Sequence, residues 1–125
     1  MAIYIWAMTT QQIAARFNEL AQAEKWFEIQ DELFADNVKS VDPPHSPYFG
    51  NAEGKTNVRR KGEDFVKRIT AVHRMYTSAP IVTAGRFAVA REMDITTEEH
   101  GRIQINEIMM YEVENGKIVS ERFFY

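Results

Sequence analysis

Ile13, Phe17 and Leu20 recur at helical spacing just after Met8 and Thr9. Thr9 is a good N-cap, Gln12 stands where a capping box needs it, and Met8 and Ile13 occupy the positions of a hydrophobic staple. The spacing predicts a helix over about 10–21. The next apolar set is Trp26, Phe27, Ile29, Leu33 and Phe34. It is out of phase with the first, whose stripe would continue through Glu24 and Asp31. Two helices meeting at an angle near Ala23 explain the break.

Beyond Phe34 the pattern alternates. Val38, Ser40 and Asp42 share one face of a short strand, Lys39 and Val41 the other. Pro43 and Pro44 end it, because proline supplies no ladder donor and keeps Asp42 extended. The stretch from His45 to Arg60 is polar, carries Gly50 and Gly54, and reads as a loop with room for a short strand. Phe65, Ile69, Val72 and Tyr76 then predict a third helix, with Glu63 and Asp64 suited to its positive end. From Pro80 the chain reads as strand: Ile81 to Thr96, Arg102 to Val113 and Ile118 to Tyr125. The Asn115-Gly116 pair between the last two is a strong hairpin signal.

A three-stranded meander must bury one face, and the helices are the available cover. Strands of this length twist and bend, which makes the sheet concave. The expected architecture is a cone-shaped α+β barrel: three N-terminal helices packed on a strongly bent antiparallel sheet enclosing an apolar pocket. Residues 1–8 are expected to be a leader or N-terminal arm and residues 9–125 a single domain.

Composition narrows the functional classes. A chain of 125 residues has room for one core. Fifteen Lys and Arg against eighteen Asp and Glu leave a net charge of −3, a poor match for a nucleic-acid backbone, so no nucleic-acid partner is expected. The absence of cysteine excludes disulfides and thiolate metal sites. The apolar start MAIYIWAM is far short of the roughly 20 residues a bilayer span needs. The protein is expected in the cytoplasm, without a membrane partner.

The order of elements, the passage FADNVKSVDP and the ending YEVENGKIVSERFFY resemble the SnoaL-like branch of the nuclear transport factor 2-like superfamily, from Thr9 almost to the end. Ketosteroid isomerases, polyketide cyclases and limonene epoxide hydrolases share that fold, so the resemblance implies a fold more than a reaction. It implies a general-base role for Asp42, similar to the isomerase Asp. The isomerase oxyanion donors do not carry over: Phe17 stands where the family has a Tyr, and Met109 near its second, protonated Asp. Losing such donors costs about 2.7–4 kcal/mol each, which argues against that reaction. The epoxide hydrolase set is also incomplete, with Arg91 one residue too early for its Arg-x-Asp and Phe123 near its second Asp. Asp94 is then expected to end its strand before Thr96.

Four residues remain as candidates for chemistry. A carboxylate on an apolar wall can abstract a proton beside a carbonyl, which suits Asp42, although Asp-Pro-Pro also punctuates strands. Glu107 falls on the more apolar, odd-numbered face of its strand with Ile103, Ile105, Met109, Tyr111 and Val113. There it needs a partner, such as Arg91 or Arg122, or a shifted pKa. Tyr111 could donate to a ligand oxygen or serve as core. His73, on the flank of the third helix, could act as an acid or base near neutral pH or bond to backbone. No two histidines have ligand spacing, so no metal site is expected. The run from Gly50 to Thr56 looks like a phosphate loop. It is one residue short, places Glu53 where phosphates would lie, and is not expected to join a strand directly to a helix. Arg59, Arg60 and Lys61 read as a solvated face.

Two functional readings stay open. The first is a small-molecule pocket protein, with Asp42 and Glu107 catalytic and Phe17, Trp26, Met109, Tyr111 and His73 contacting the ligand. It would do cofactor-free acid–base chemistry, of isomerase, cyclase or hydrolase type, on a small apolar, oxygen-bearing molecule. The second is a non-catalytic ligand-binding or dimerisation domain. The exposed-looking aromatic end, Phe123 to Tyr125, leads us to expect a homodimer through the sheet in either case.

Overall fold

A computed structural model describes residues 7–125, so the expected arm lies almost entirely outside the described residues. Helix α1 spans Thr10–Gln22. Its capping box is formed: the Gln12 amide donates to Thr9 Oγ1 (3.2 Å) and the Thr9 amide to Gln12 Oε1 (2.9 Å). The chain breaks at Glu24, whose φ is 56°, and helix α2 follows over Trp26–Leu33. Arg16 on α1 holds Glu32 on α2 at 2.6 Å.

Strand β1 spans Phe34–Val41 and β2 is the two-residue Ala52–Glu53. Helix α3 covers Lys55–Arg68, earlier than expected, so Glu63 and Asp64 sit well inside it rather than at its start. The stripe from Phe65 to Tyr76 is not one helix. The chain straightens at Ile69 into β3, Ile69–Thr77. β-branched Ile69, Thr70 and Val72 favour an extended backbone, and β3 lies at the sheet edge, where Val72 and Tyr76 stay exposed. Their spacing imitates a helical stripe without being buried.

The remaining strands are β4 (Ile81–Thr83), β5 (Arg86–Thr97), β6 (Gly101–Glu114) and β7 (Lys117–Phe124). Asn115 and Gly116 take φ of 51° and 75°, the left-handed pair that a two-residue hairpin turn requires. Asp94 does not end its strand. It sits within β5, paired across the ladder to Arg102 at 2.9 Å. The strand order is β2-β1-β7-β6-β5-β3, with β4 on β5. β1 runs parallel to β7, so the sheet is mixed rather than antiparallel. It curls around the helices without closing, as a cone-shaped α+β fold does. A hairpin forces antiparallel pairing; β1, which reaches β7 by a long connection, is free of that constraint.

The interior holds two apolar clusters. The larger gathers α1, α2 and one end of the sheet around Ile13, Phe17, Leu33, Phe87, Met109 and Tyr111. The smaller is Met93, Ile95 and Ile105, covered by Tyr48, Phe49 and Phe65.

Candidate active site in a charged belt

What separates the clusters is a row of charges. Along the β5–β6 ladder, Phe87 faces Tyr111 and Val89 faces Met109, both pairs in the larger cluster. Two residues farther on, Arg91 faces Glu107, and beyond them Met93 faces Ile105 in the smaller cluster. The odd-numbered face of β6 does turn inward, and Glu107 is 9% exposed.

Five further polar groups converge there. Thr77 pairs with Arg91 from β3. Ser40 on β1 lies beside Glu121 on β7. Glu121 is buried because of a bulge: Val113 pairs with Ile118 but Glu112 pairs with Ser120, so Val119 is an extra residue. The bulge reverses the parity of β7 and turns Glu121 inward. From α3, Lys61 reaches down with its ammonium between Asp42 and Ser40, 2.9 Å from Ser40 Oγ.

Asp42 is 4% exposed and fully engaged. Lys61 holds one carboxylate oxygen, the Tyr125 hydroxyl donates to the other at 2.7 Å, and Asn51 Oδ1 accepts from the Asp42 amide at 2.9 Å. Arg91 is also engaged, although not with Glu107. Its guanidinium turns to Glu24 (3.1 Å) and Thr77 (2.8 Å) and lies over the Trp26 ring, 4.3 Å from the centroid.

Glu107 is left without a hydrogen bond among the described residues. Burial raises its pKa to about 8; Asp42 and Glu121 push the same way, and Arg91 and Lys61 resist. Burial likewise raises Glu121 to about 7, opposed by the Ser40 hydroxyl and Lys61. Tyr111 is pushed well up by burial, reinforced by the charges of Glu121 and Glu107, so its hydroxyl stays a donor. The belt can therefore hold a proton on Glu107 at neutral pH and release it slightly above.

The other candidates fall differently. Met109 and Tyr111 line the belt's apolar side, and Trp26 lies beneath Arg91. Phe17 is core: it meets Tyr111 at 4.7 Å and Phe87 at 5.0 Å between centroids, filling the space where an apolar pocket was expected. The small cavity at the other end, about 10 Å³ beneath Tyr48 and Phe65, is too small for a ligand. His73 is on β3, exposed, with Nε2 2.8 Å from Thr96 Oγ1, and takes no part in the belt. Lys61, read as solvated, belongs to the site. The phosphate-loop look-alike does join a strand, β2, to α3, but its Lys55 donates to the backbone of Asp31. Among the described residues no cluster of side chains could hold a metal ion, and no helix is long and apolar enough to cross a membrane.

Known structures repeat this architecture. A candidate SnoaL-like polyketide cyclase from Mesorhizobium loti, also described as a carbohydrate phosphatase, is 30% identical, with a TM-score of 0.87 over 94% of this chain and all of its own. A nuclear transport factor 2-like protein from Burkholderia thailandensis is similar in fold at 14% identity, with a TM-score of 0.77 over 94% of this chain and 90% of its own. A candidate isomerase from Bacillus subtilis shares the fold at 19% identity, with a TM-score of 0.65 over 93% of this chain and 88% of its own. No curated protein matches the sequence. The profile of the SnoaL-like domain matches residues 8–125, and the chain belongs to that family.

Proposed function

We propose that the protein binds a small oxygen-bearing molecule at the belt and moves a proton on it without a cofactor. One observation carries this reading: Glu107 is buried, holds its proton to about pH 8 and has no hydrogen bond among the described residues, while Asp42 and Arg91 beside it are bonded to other partners. A neutral carboxyl passes its proton to the carbonyl oxygen and, as the resulting carboxylate, takes the α-proton, so that Glu107 ends as it began and the keto form has become the enol. Tyr111, on the same inward face of β6, donates a hydrogen bond to the ligand oxygen. The names cyclase and isomerase among the similar structures are compatible with this reading.

The test is exchange of the α-proton of a β-keto ester into deuterated buffer, followed by NMR. Wild-type protein is expected to exceed buffer catalysis, and Glu107→Gln to lose about a hundredfold or more, the usual worth of a positioned acid or base. Equal rates in both proteins would remove Glu107 from any mechanism.

A second reading has its own support. The packing of Phe17, Phe87 and Tyr111 leaves little room at the apolar end, as in a domain that binds at its rim or pairs with a copy of itself. The outer sheet face carries Ile81, Ala88 and Met110 in one ladder row and Ala90, Ile108 and Phe124 in the next. Ile81, Ile108 and Phe124 are 81%, 48% and 49% exposed. A homodimer through this face would cover them.

A further inference from the structure

Ser46, in the loop after Pro44, has a hydroxyl whose orientation is fixed. It accepts from the amides of Tyr48 (3.1 Å) and Phe49 (3.2 Å), which leaves its proton to point outward. That proton meets the phenol oxygen of Tyr125 at 2.5 Å, and the phenol in turn donates to Asp42 Oδ2 at 2.7 Å. One donor and one acceptor, both held from behind, thus read a single hydroxyl group. The acceptor is held by Lys61 and through the Asn51 contact to its amide, the donor by two backbone amides. The Tyr48 and Phe49 rings flank the Tyr125 ring at 6.4 and 6.5 Å between centroids. Tyr125 itself is 36% exposed, so the ring that fills this cradle lies at the surface and can leave it.

We propose that Asp42 and Ser46 form a hydroxyl-reading subsite for an aryl alcohol, occupied in this structure by the chain's own Tyr125, which the ligand displaces. The pairing is selective by chemistry. An ether or ketone has no proton for Asp42, and an ammonium has no lone pair for Ser46; a phenol satisfies both. The aromatic walls favour a flat ring over an aliphatic alcohol. Tyr125 competes as a tethered group, whose effective concentration reaches the millimolar range, so a free ligand must bind better than the intrinsic phenol contact to displace it. The inference rests on the belt being a ligand site, but it does not require turnover.

The experiment measures binding of phenol and of anisole, its methyl ether, by calorimetry to wild-type protein and to Tyr125→Gly. The variant is expected to bind phenol at least about tenfold more tightly than wild type, and phenol about tenfold or more over anisole, the worth of a hydrogen bond to a charged acceptor. Ser46→Ala in the variant background is expected to weaken phenol binding severalfold. Equal phenol affinity with and without Tyr125, or equal affinity for phenol and anisole, would overturn the proposal. If Tyr125→Gly does not fold, wild-type protein with ¹³C-labelled tyrosine is titrated with phenol. Saturable movement of the Tyr125 signals by phenol and not by anisole is expected, and unmoved signals would refute displacement. Failure of the β-keto ester assay with phenol still bound would sink the catalytic reading alone. Catalysis without phenol selectivity would sink this one alone.

Discussion

Arg91 and Glu107 face each other across the β5–β6 ladder and do not form an ion pair, because the guanidinium is already held by Glu24, Thr77 and the Trp26 face. The neighbouring guanidinium still favours the charged carboxylate of Glu107, but burial outweighs it. The neutral form is the stable one, and pH dependence follows from that.

Glu107 and Glu121 have folded-state pKa values of about 8 and about 7, both above the ordinary 4.5. Between about pH 4.5 and 8 the native state therefore binds more protons than the unfolded chain, and stability falls as pH rises through that window. Raising a pKa by one is worth about 1.4 kcal/mol, so the two groups together remove on the order of 8 kcal/mol by pH 8.5. Urea unfolding at pH 5 and pH 8.5 should show the loss. Glu107→Gln, which cannot ionise, should flatten the profile and be more stable than wild type at pH 8.5. A wild-type profile that rises with pH would contradict both assignments.

Lys61 and Asp42 form a buried ion pair whose side chains are 15% and 2% exposed. Breaking a buried pair by removing one partner costs about 3–5 kcal/mol. Lys61→Met should lose stability on that scale at neutral pH. It should also move the Glu107 titration upward, because Lys61 is one of the two charges that hold it down. NMR titration of Glu107 in the variant reads the second effect separately from the first.

Phe17 packs edge-on to Phe87 and tilted against Tyr111. Phe17→Ala should cost about 3–5 kcal/mol. It should also open an apolar cavity that accepts benzene or xenon, while leaving the pKa of Glu107 near its wild-type value. A large shift at Glu107 would mean that the two ends of the interior are not independent.

The outer sheet face makes its own prediction. Wild-type protein at micromolar concentration should have twice the chain mass by light scattering, and Ile108→Lys, at the centre of the apolar rows, should have the mass of one chain. A monomeric wild type would remove the dimer.

Much of this fold was legible in the chain. The capping box at Thr9 and Gln12, the phase break near Ala23, the hairpin at Asn115-Gly116 and the inward face of β6 all leave local marks, and each is present. Three parts of the site left none. Glu121 faces inward through the bulge at Val119, and no alternation rule survives an added residue. Lys61 sits on a helix among other basic residues, and the length of its side chain rather than its position brings it to Asp42. Tyr125 looked like an uncovered aromatic because the cradle that receives it is built from a loop about 80 positions earlier in the chain. The misread third helix has a different cause: an edge strand buries so little that Val72 and Tyr76 follow no periodicity of burial.

The division of the interior by charged residues also bears on how the molecule moves. A continuous hydrocarbon core opens all at once or not at all, whereas one cut by a polar seam can part along it. The smaller lobe, with Met93, Ile95 and Ile105 beneath the Tyr48-Phe49 loop, can breathe while the lobe around Ile13 and Phe87 stays shut. Amide exchange should therefore find two thresholds of protection in this small fold, the lower one on the side that water or a guest molecule would enter first.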